Sequence, residues 1–111
     1  MAEQSIFIEY MGDSPTVRVL DYLLTERELD FSITDLADNA HVGRATLYRI
    51  WDDLIKNKIL IHTRDVGKAK LYRLNTADSK IKKLVEIDDM LILEALRKKV
   101  AEPKKKVKMF A

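Results

Sequence analysis

The chain contains no cysteine, which excludes a disulfide framework and a thiolate zinc site and gives no reason to place it in an oxidising compartment. Its three glycines do not form the loop that cradles a nucleotide phosphate. No uncharged run approaches the roughly 20 residues needed to cross a bilayer, and no basic segment precedes the short apolar stretch Ile6–Ile8, so neither secretion nor membrane insertion is expected and the cytoplasm is the expected location. The only histidines, His41 and His62, lie far apart and have no thiol partner, so no metal site and no cofactor are expected. No nucleophile stands beside a histidine in a catalytic motif, and the expectation is a protein that is not an enzyme.

What is present is a segregated charge. The formal net charge of the 111 residues is only +2, yet residues 1–40 carry two Lys/Arg against nine Asp/Glu, whereas residues 41–75 carry eight against three. A basic block of this kind inside a nearly neutral chain suits a polyanion.

The two prolines, Pro15 and Pro103, bracket the part expected to fold. Gly12-Asp13-Ser14-Pro15 reads as a helix start, with Asp13 or Ser14 as N-cap and proline at the first helical position, where its missing N–H costs nothing. Val17, Leu20 and Leu24 then share a face, and the helix is expected to reach about Glu26. Phe31-Ser32-Ile33 is short and β-prone. Ser32 and Asp35 have the spacing of a capping box, which opens a second helix to about Asn39. Turn formers occupy residues 39–43, after which Leu47, Ile50, Trp51 and Leu54 recur at helical spacing to about Asn57 or Lys58. Residues 59–64 and 69–74 read as two strands joined through Asp65–Lys68, with Gly67 supplying a positive φ. From Thr76, read as an N-cap, to about Val100 the pattern is helical again, and Pro103 is expected to end it. Such a helix is about 35 Å long at 1.5 Å per residue, more than the preceding small domain can cover. A twofold partner is therefore expected on it, with Ile81, Leu84, Val85, Leu91 and Ile92 as the dimerisation residues. Packing of the helix within the monomer is the alternative. Glu86, Asp88, Asp89 and Glu94 read as a solubilising side, and Lys104–Lys108 as a flexible basic tail. The role of Ile6–Ile8, as an extra strand or a staple, stays open.

Helix, short strand, helix, turn, helix and hairpin is the order of a winged helix-turn-helix domain. The stretch from Ile33 to Ile50 resembles the helix-turn-helix core of the MarR- and ArsR-like transcriptional regulators, especially the small winged-helix proteins common in archaea. The matching features are Ala37 where two helices cross, Val42 closing the turn, Arg44-Ala-Thr46 opening the third helix, and Ile59-Leu-Ile before a basic hairpin. Gly43 departs from the pattern, since Ser or Thr usually caps that helix. The resemblance covers Ser14 to Leu74. It implies a mainly helical α+β fold: an N-terminal arm (1–13), a winged helix-turn-helix domain (14–75), a dimerisation helix (76–102) and a basic tail (103–111).

The implied activity is sequence-specific binding of double-stranded DNA by a homodimer, with the helix at about 43–57 in the major groove and the wing at about 59–74 on the backbone or in the minor groove. If Leu47, Ile50, Trp51 and Leu54 face the core, Arg44, Ala45, Tyr48 and Arg49 lie on the opposite side near the N-terminal end. Arginine there can pair with guanine O6 and N7, Ala45 or Tyr48 can meet a thymine methyl, and Thr46 is placed for a phosphate. His41 and Gly43 in the turn, and Arg64, Lys68 and Lys70 in the hairpin, complete the expected contacts. Two other readings fit the same residues, a winged helix used for protein interaction and an architectural DNA- or RNA-binding protein. No small-molecule effector site is legible.

Overall fold

The computed structural model describes residues 5–110, with side chains described for residues 5–100. In chain order the elements are α1 (Ile6–Met11), α2 (Pro15–Thr25), α3 (Ile33–Ala40), α4 (Arg44–Lys56), β1 (Leu60–Val66), β2 (Ala69–Leu74) and α5 (Ser79–Phe110). The two strands form an antiparallel hairpin, and Phe31 adds a single bridge to Tyr72 on the far side of β2.

Local chemistry explains most of the boundaries. Ser14 caps α2 by accepting from the Val17 amide at 3.1 Å, with Pro15 in the first turn. Ser32 does the same for α3 through the Asp35 amide. Gly43 caps α4 with extended backbone and no side-chain bond. Both α3 and α4 end through a residue in left-handed conformation, His41 at φ 58 and Lys58 at φ 59. At each end the next amide reaches back to close the helix, Val42 to the Ala37 carbonyl at 3.0 Å and Ile59 to the Leu54 carbonyl at 2.9 Å. This Schellman arrangement satisfies the last carbonyls, and its usual left-handed residue is glycine.

The core lies where α2, α3 and α4 converge on the root of the hairpin. Val19, Leu23 and Leu24 from α2, Leu36 and Ala37 from α3, Leu47 and Leu54 from α4, and Leu60 and Leu74 from the strands are all buried. The helical period places these residues inward while polar residues occupy the opposite faces. Ile81 of α5 is buried in the same cluster.

The ends of the chain depart from the sequence reading in three ways. Ile6–Met11 is neither strand nor loose staple but a short helix. Ser5 accepts from the Ile8 amide and donates to Asp21 at 2.7 Å, and Phe7 is fully buried against the core. The N-cap of α5 is Asp78 rather than Thr76, since its carboxylate accepts from the Lys80 and Ile81 amides. The helix then continues past Pro103 to Phe110. The proline removes one amide donor from the ladder, and the lysines that follow are good helix formers that extend the helix beyond it. Residues Lys104–Lys108 thus belong to α5, and their side chains lie outside those described.

One charged residue is also placed differently from the sequence expectation. Asp88 is buried at 5% exposure, not part of a solubilising side. Arg27 donates to Asp88 at 3.1 Å and to Asp89 at 2.7 Å while bonding the Leu24 carbonyl. Burial pushes the Asp88 carboxyl above the ordinary aspartate range, and the Arg27 guanidinium only partly offsets this. Asp88 marks the point where α5 leaves the domain. Beyond it none of the side chains described on α5 is buried, and the radius of gyration is 17.0 Å, against about 13 Å for a compact chain of this length.

Candidate nucleic-acid interface

The turn between α3 and α4 is fixed from two sides. Val42 is buried beneath it, and Arg18 of α2 donates to the His41 carbonyl at 3.0 Å. Arg18 is itself held by a two-pronged ion pair with Asp13, at 2.7 and 2.8 Å. The hydrogen bond holds the Asp13 carboxyl below the ordinary aspartate value. The His41 side chain is left exposed on the outside of the turn.

With Leu47 and Leu54 inward and Ile50 and Trp51 half-buried, α4 turns Arg44, Ala45, Tyr48 and Arg49 to solvent. Thr46 is half-buried at the edge of this face, and its hydroxyl oxygen lies 3.4 Å from the Arg49 guanidinium. Arg44 makes no ion pair among the described residues, and Tyr48 is 57% exposed. A large aromatic ring left in water between two arginines on one helix is a surface with hydrogen-bond donors and apolar area but no internal partner. Asp52 and Asp53 confine the positive charge to the N-terminal turns, where the amide ends of the helix add a partial positive charge.

The hairpin is tied to α4 by aromatic packing. Trp51 meets Tyr72 edge-on at 4.9 Å between ring centroids, and the His62 ring lies 5.6 Å from that of Tyr72. His62 also lies 2.6 Å from Asp65. Strand β1 runs on to Val66, further than its sequence indicates, and the loop tightens to Gly67-Lys68 with Gly67 at φ 60. Positive φ at the first of two loop residues is the requirement of a type II′ hairpin turn, which only glycine meets without strain. Lys68 and Lys70 project from this tip without an ion pair among the described residues.

Thr63 is an extra, unpaired residue in β1, because His62 pairs with Tyr72 and Arg64 with Leu71. This bulge moves Arg64 to the other face of the hairpin from His62, since one added residue reverses which side every following residue takes. On that face Arg64 closes on Asp30, its Nε at 3.0 Å from Oδ2 and its Nη2 at 3.3 Å from Oδ1.

No family model matches the chain, and no curated protein shows significant similarity to it. Solved structures do. MepR, a transcription regulator of the Staphylococcus aureus multidrug efflux pump MepA, superposes with a TM-score of 0.61 over 91% of this chain and 76% of its own, at 18% identity. ZitR of Lactococcus lactis gives 0.60 over 88% and 74% at 13% identity. The AntR antimony-specific transcriptional repressor gives 0.56 over 83% and 78% at 22% identity. The fold is a winged helix. At these identities the likeness is one of architecture.

Within the winged helix, Arg44, Ala45, Tyr48 and Arg49 share the outward face of α4, Gly43 and His41 lie at its entry, and Lys68 and Lys70 stand at the wing tip. Arg64 stands apart from them, engaged with Asp30. Of the residues expected at a dimer interface, Ile81 belongs to the monomer's own core, Leu84, Val85 and Leu91 are half-buried against it, and Ile92 is exposed. Further along α5, Ile92, Leu93, Leu96 and Val100 are exposed apolar side chains within about 100° of arc on the helix, while Ile87 and Met90 are exposed outside that arc. A cavity of about 420 Å³ between α1, α2 and α5, lined by Phe7, Asp21, Leu24, Arg27 and Asp88, has no counterpart in the sequence reading. Among the described residues no cluster of three metal-ligating side chains occurs and no helix is long and apolar enough to cross a membrane.

Proposed function

We propose that this chain is a sequence-specific double-stranded DNA-binding protein that regulates transcription as a homodimer in the cytoplasm, without an enzymatic activity. The observation that carries the reading is the outward face of α4, where Arg44, Tyr48 and Arg49 are exposed beside a hairpin whose tip bears Lys68 and Lys70. A helix entering the major groove by its N-terminal turns presents this face to base edges, and each arginine paired with a guanine contributes about 1–3 kcal/mol of discrimination. The wing lysines then lie along the phosphate backbone and fix the register. A MepR variant of the same fold, at TM-score 0.61, is bound to an oligodeoxyribonucleotide, which supports this use of the architecture. The finer likeness to the small archaeal regulators rests on the sequence alone.

The homodimer is supported by the outer half of α5. Ile92, Leu96 and Val100 repeat at four-residue spacing with Leu93 beside them, all exposed, and Tyr10 and Met11 of α1 are exposed as well. A twofold partner covering this stripe supplies the second reading head that an inverted-repeat site requires.

The test is selection of bound duplexes from a random pool at about 150 mM salt, where nonspecific phosphate binding is weakened. Enrichment of an inverted repeat with half-sites about 10 base pairs apart is the expected result. Recovery of no preferred sequence would overturn the reading and leave an architectural or RNA-binding role, or a protein-interaction role if salt-dependent binding is absent altogether.

A further inference from the structure

The cations near the proposed DNA surface fall into two groups. Arg44, Lys68 and Lys70 are exposed and make no ion pair among the described residues. Arg64 is also largely exposed, at 65%, yet its guanidinium is forked onto both oxygens of Asp30. Asp30 is only 19% exposed, and its Oδ2 also lies 2.7 Å from the Thr63 hydroxyl. The pair joins residues 34 positions apart, and it exists because the bulge at Thr63 turns Arg64 onto that face of the hairpin. Three features therefore converge on one carboxylate: the extra residue in β1, the hydroxyl it carries, and the arginine that follows it.

We propose that Asp30 is a positioning residue that anchors the root of the wing and withholds Arg64 from DNA phosphate, leaving Lys68 and Lys70 as the wing's electrostatic contacts. This rests on the DNA-binding reading above and deepens it. An arginine already neutralised by its own carboxylate displaces no counterion from a phosphate. To reach one it must first leave Asp30, which then faces the polyanion as an uncompensated negative charge. Asp30 thus sets how steeply binding depends on salt, because each phosphate contact adds about 0.9 to the slope of log affinity against log salt.

The experiment is fluorescence anisotropy with a labelled mixed-sequence duplex of about 30 base pairs, between about 50 and 200 mM salt. Relative to the parent protein, Lys68→Ala should flatten the slope by about 1.8, one contact in each subunit of the dimer, and Arg64→Ala should leave it unchanged. Asp30→Asn, whose amide oxygen still accepts the Thr63 hydroxyl, should steepen it by about 1.8, again one contact in each subunit, so that the ratio of Kd at the two salts grows about 12-fold. Adding Arg64→Ala to Asp30→Asn should return the slope to the parent value. Flattening by Arg64→Ala equal to that of Lys68→Ala, or an unchanged slope in folded Asp30→Asn, would overturn the proposal while leaving DNA binding intact. If Asp30→Asn does not fold, the Arg64→Ala slope decides the matter alone. A parent protein that shows no salt-dependent binding to duplex overturns the DNA-binding reading and this inference together.

Discussion

Leu96 lies in the middle of the exposed apolar stripe of α5, and Leu96→Glu is the substitution that tests the twofold partner most directly. Its side chain is about half exposed in the monomer, and full burial of a leucine is worth about 1.5–3 kcal/mol. Covering the exposed half in a dimer therefore contributes about 1 kcal/mol per copy, or about 2 kcal/mol for two. Glutamate forfeits this and places two carboxylates in the seam, where removing an ion from water costs several kcal/mol. A total loss of at least about 4 kcal/mol corresponds to a dimer Kd roughly a thousandfold weaker, at 1.4 kcal/mol per decade. Sedimentation equilibrium at protein concentrations up to about 50 μM should find a dimer for the parent chain and a monomer for Leu96→Glu. The variant should keep the circular dichroism of the folded monomer, because an exposed position away from the core shifts stability by no more than about 0.5 kcal/mol. A parent chain that sediments as a monomer, or a Leu96→Glu protein as dimeric as the parent, would refute the argument.

Three further outcomes follow from particular residues. Arg49→Ala should erode discrimination between the preferred duplex and single-base variants by about 1–3 kcal/mol, whereas Lys68→Ala should weaken all duplexes alike; competition binding with matched and mismatched sites separates the two. Lys58→Gly should raise stability by about 1 kcal/mol, since glycine adopts the left-handed conformation that lysine holds at φ 59 without the side-chain penalty, and thermal unfolding should shift upward by a few degrees. Asp88 is protonated more readily in the folded chain than in the unfolded one, because burial raises its pKa. The folded state then binds more protons, so this group's contribution to stability declines as pH rises from the ordinary aspartate value through the raised one. The midpoint of Asp88→Asn relative to the parent should accordingly climb as pH rises above the ordinary aspartate range, and a difference that is flat or falls with pH would show that burial does not govern this carboxyl.

The parts of the fold legible in the sequence are those governed by nearest neighbours. Ser14-Pro15, Ser32 with Asp35, and Gly67 each act within a few residues of their own position, so α2, α3 and the hairpin could be read along the chain. The outward face of α4 was legible for the same reason, since four inward apolar residues at helical spacing determine which others point away. What escaped was set by contacts distant in sequence. Nothing near Asp88 shows that Arg27, 61 residues away, will accept it into a buried position. Nothing near Arg64 announces the bulge or the partner at Asp30. Ile6–Ile8 is a short apolar run with two β-branched residues that suits a strand as well as a helix, and only the Ser5 cap together with the burial of Phe7 against α2 and α5 makes it helical. Ile81 and Ile92 look alike in an amphipathic pattern, yet the first enters the core and the second faces solvent, because the domain simply ends between them.

The manner in which α5 leaves the domain bears on which sites a dimer could occupy. From Asp88 to Val100, ahead of Pro103, the helix is a rod of about 20 Å attached to the domain near the Arg27 pair, with no glycine or proline along that length. In a dimer joined through this rod, its angle at the root works as a lever arm. A tilt of about 10° there carries the far end through about 3.5 Å, which is about one base-pair step at 3.4 Å. A stiff arm of this kind leaves little slack in the distance between the two reading helices. Such a dimer would tolerate changes in the bases of its half-sites more readily than the insertion of a single base pair between them.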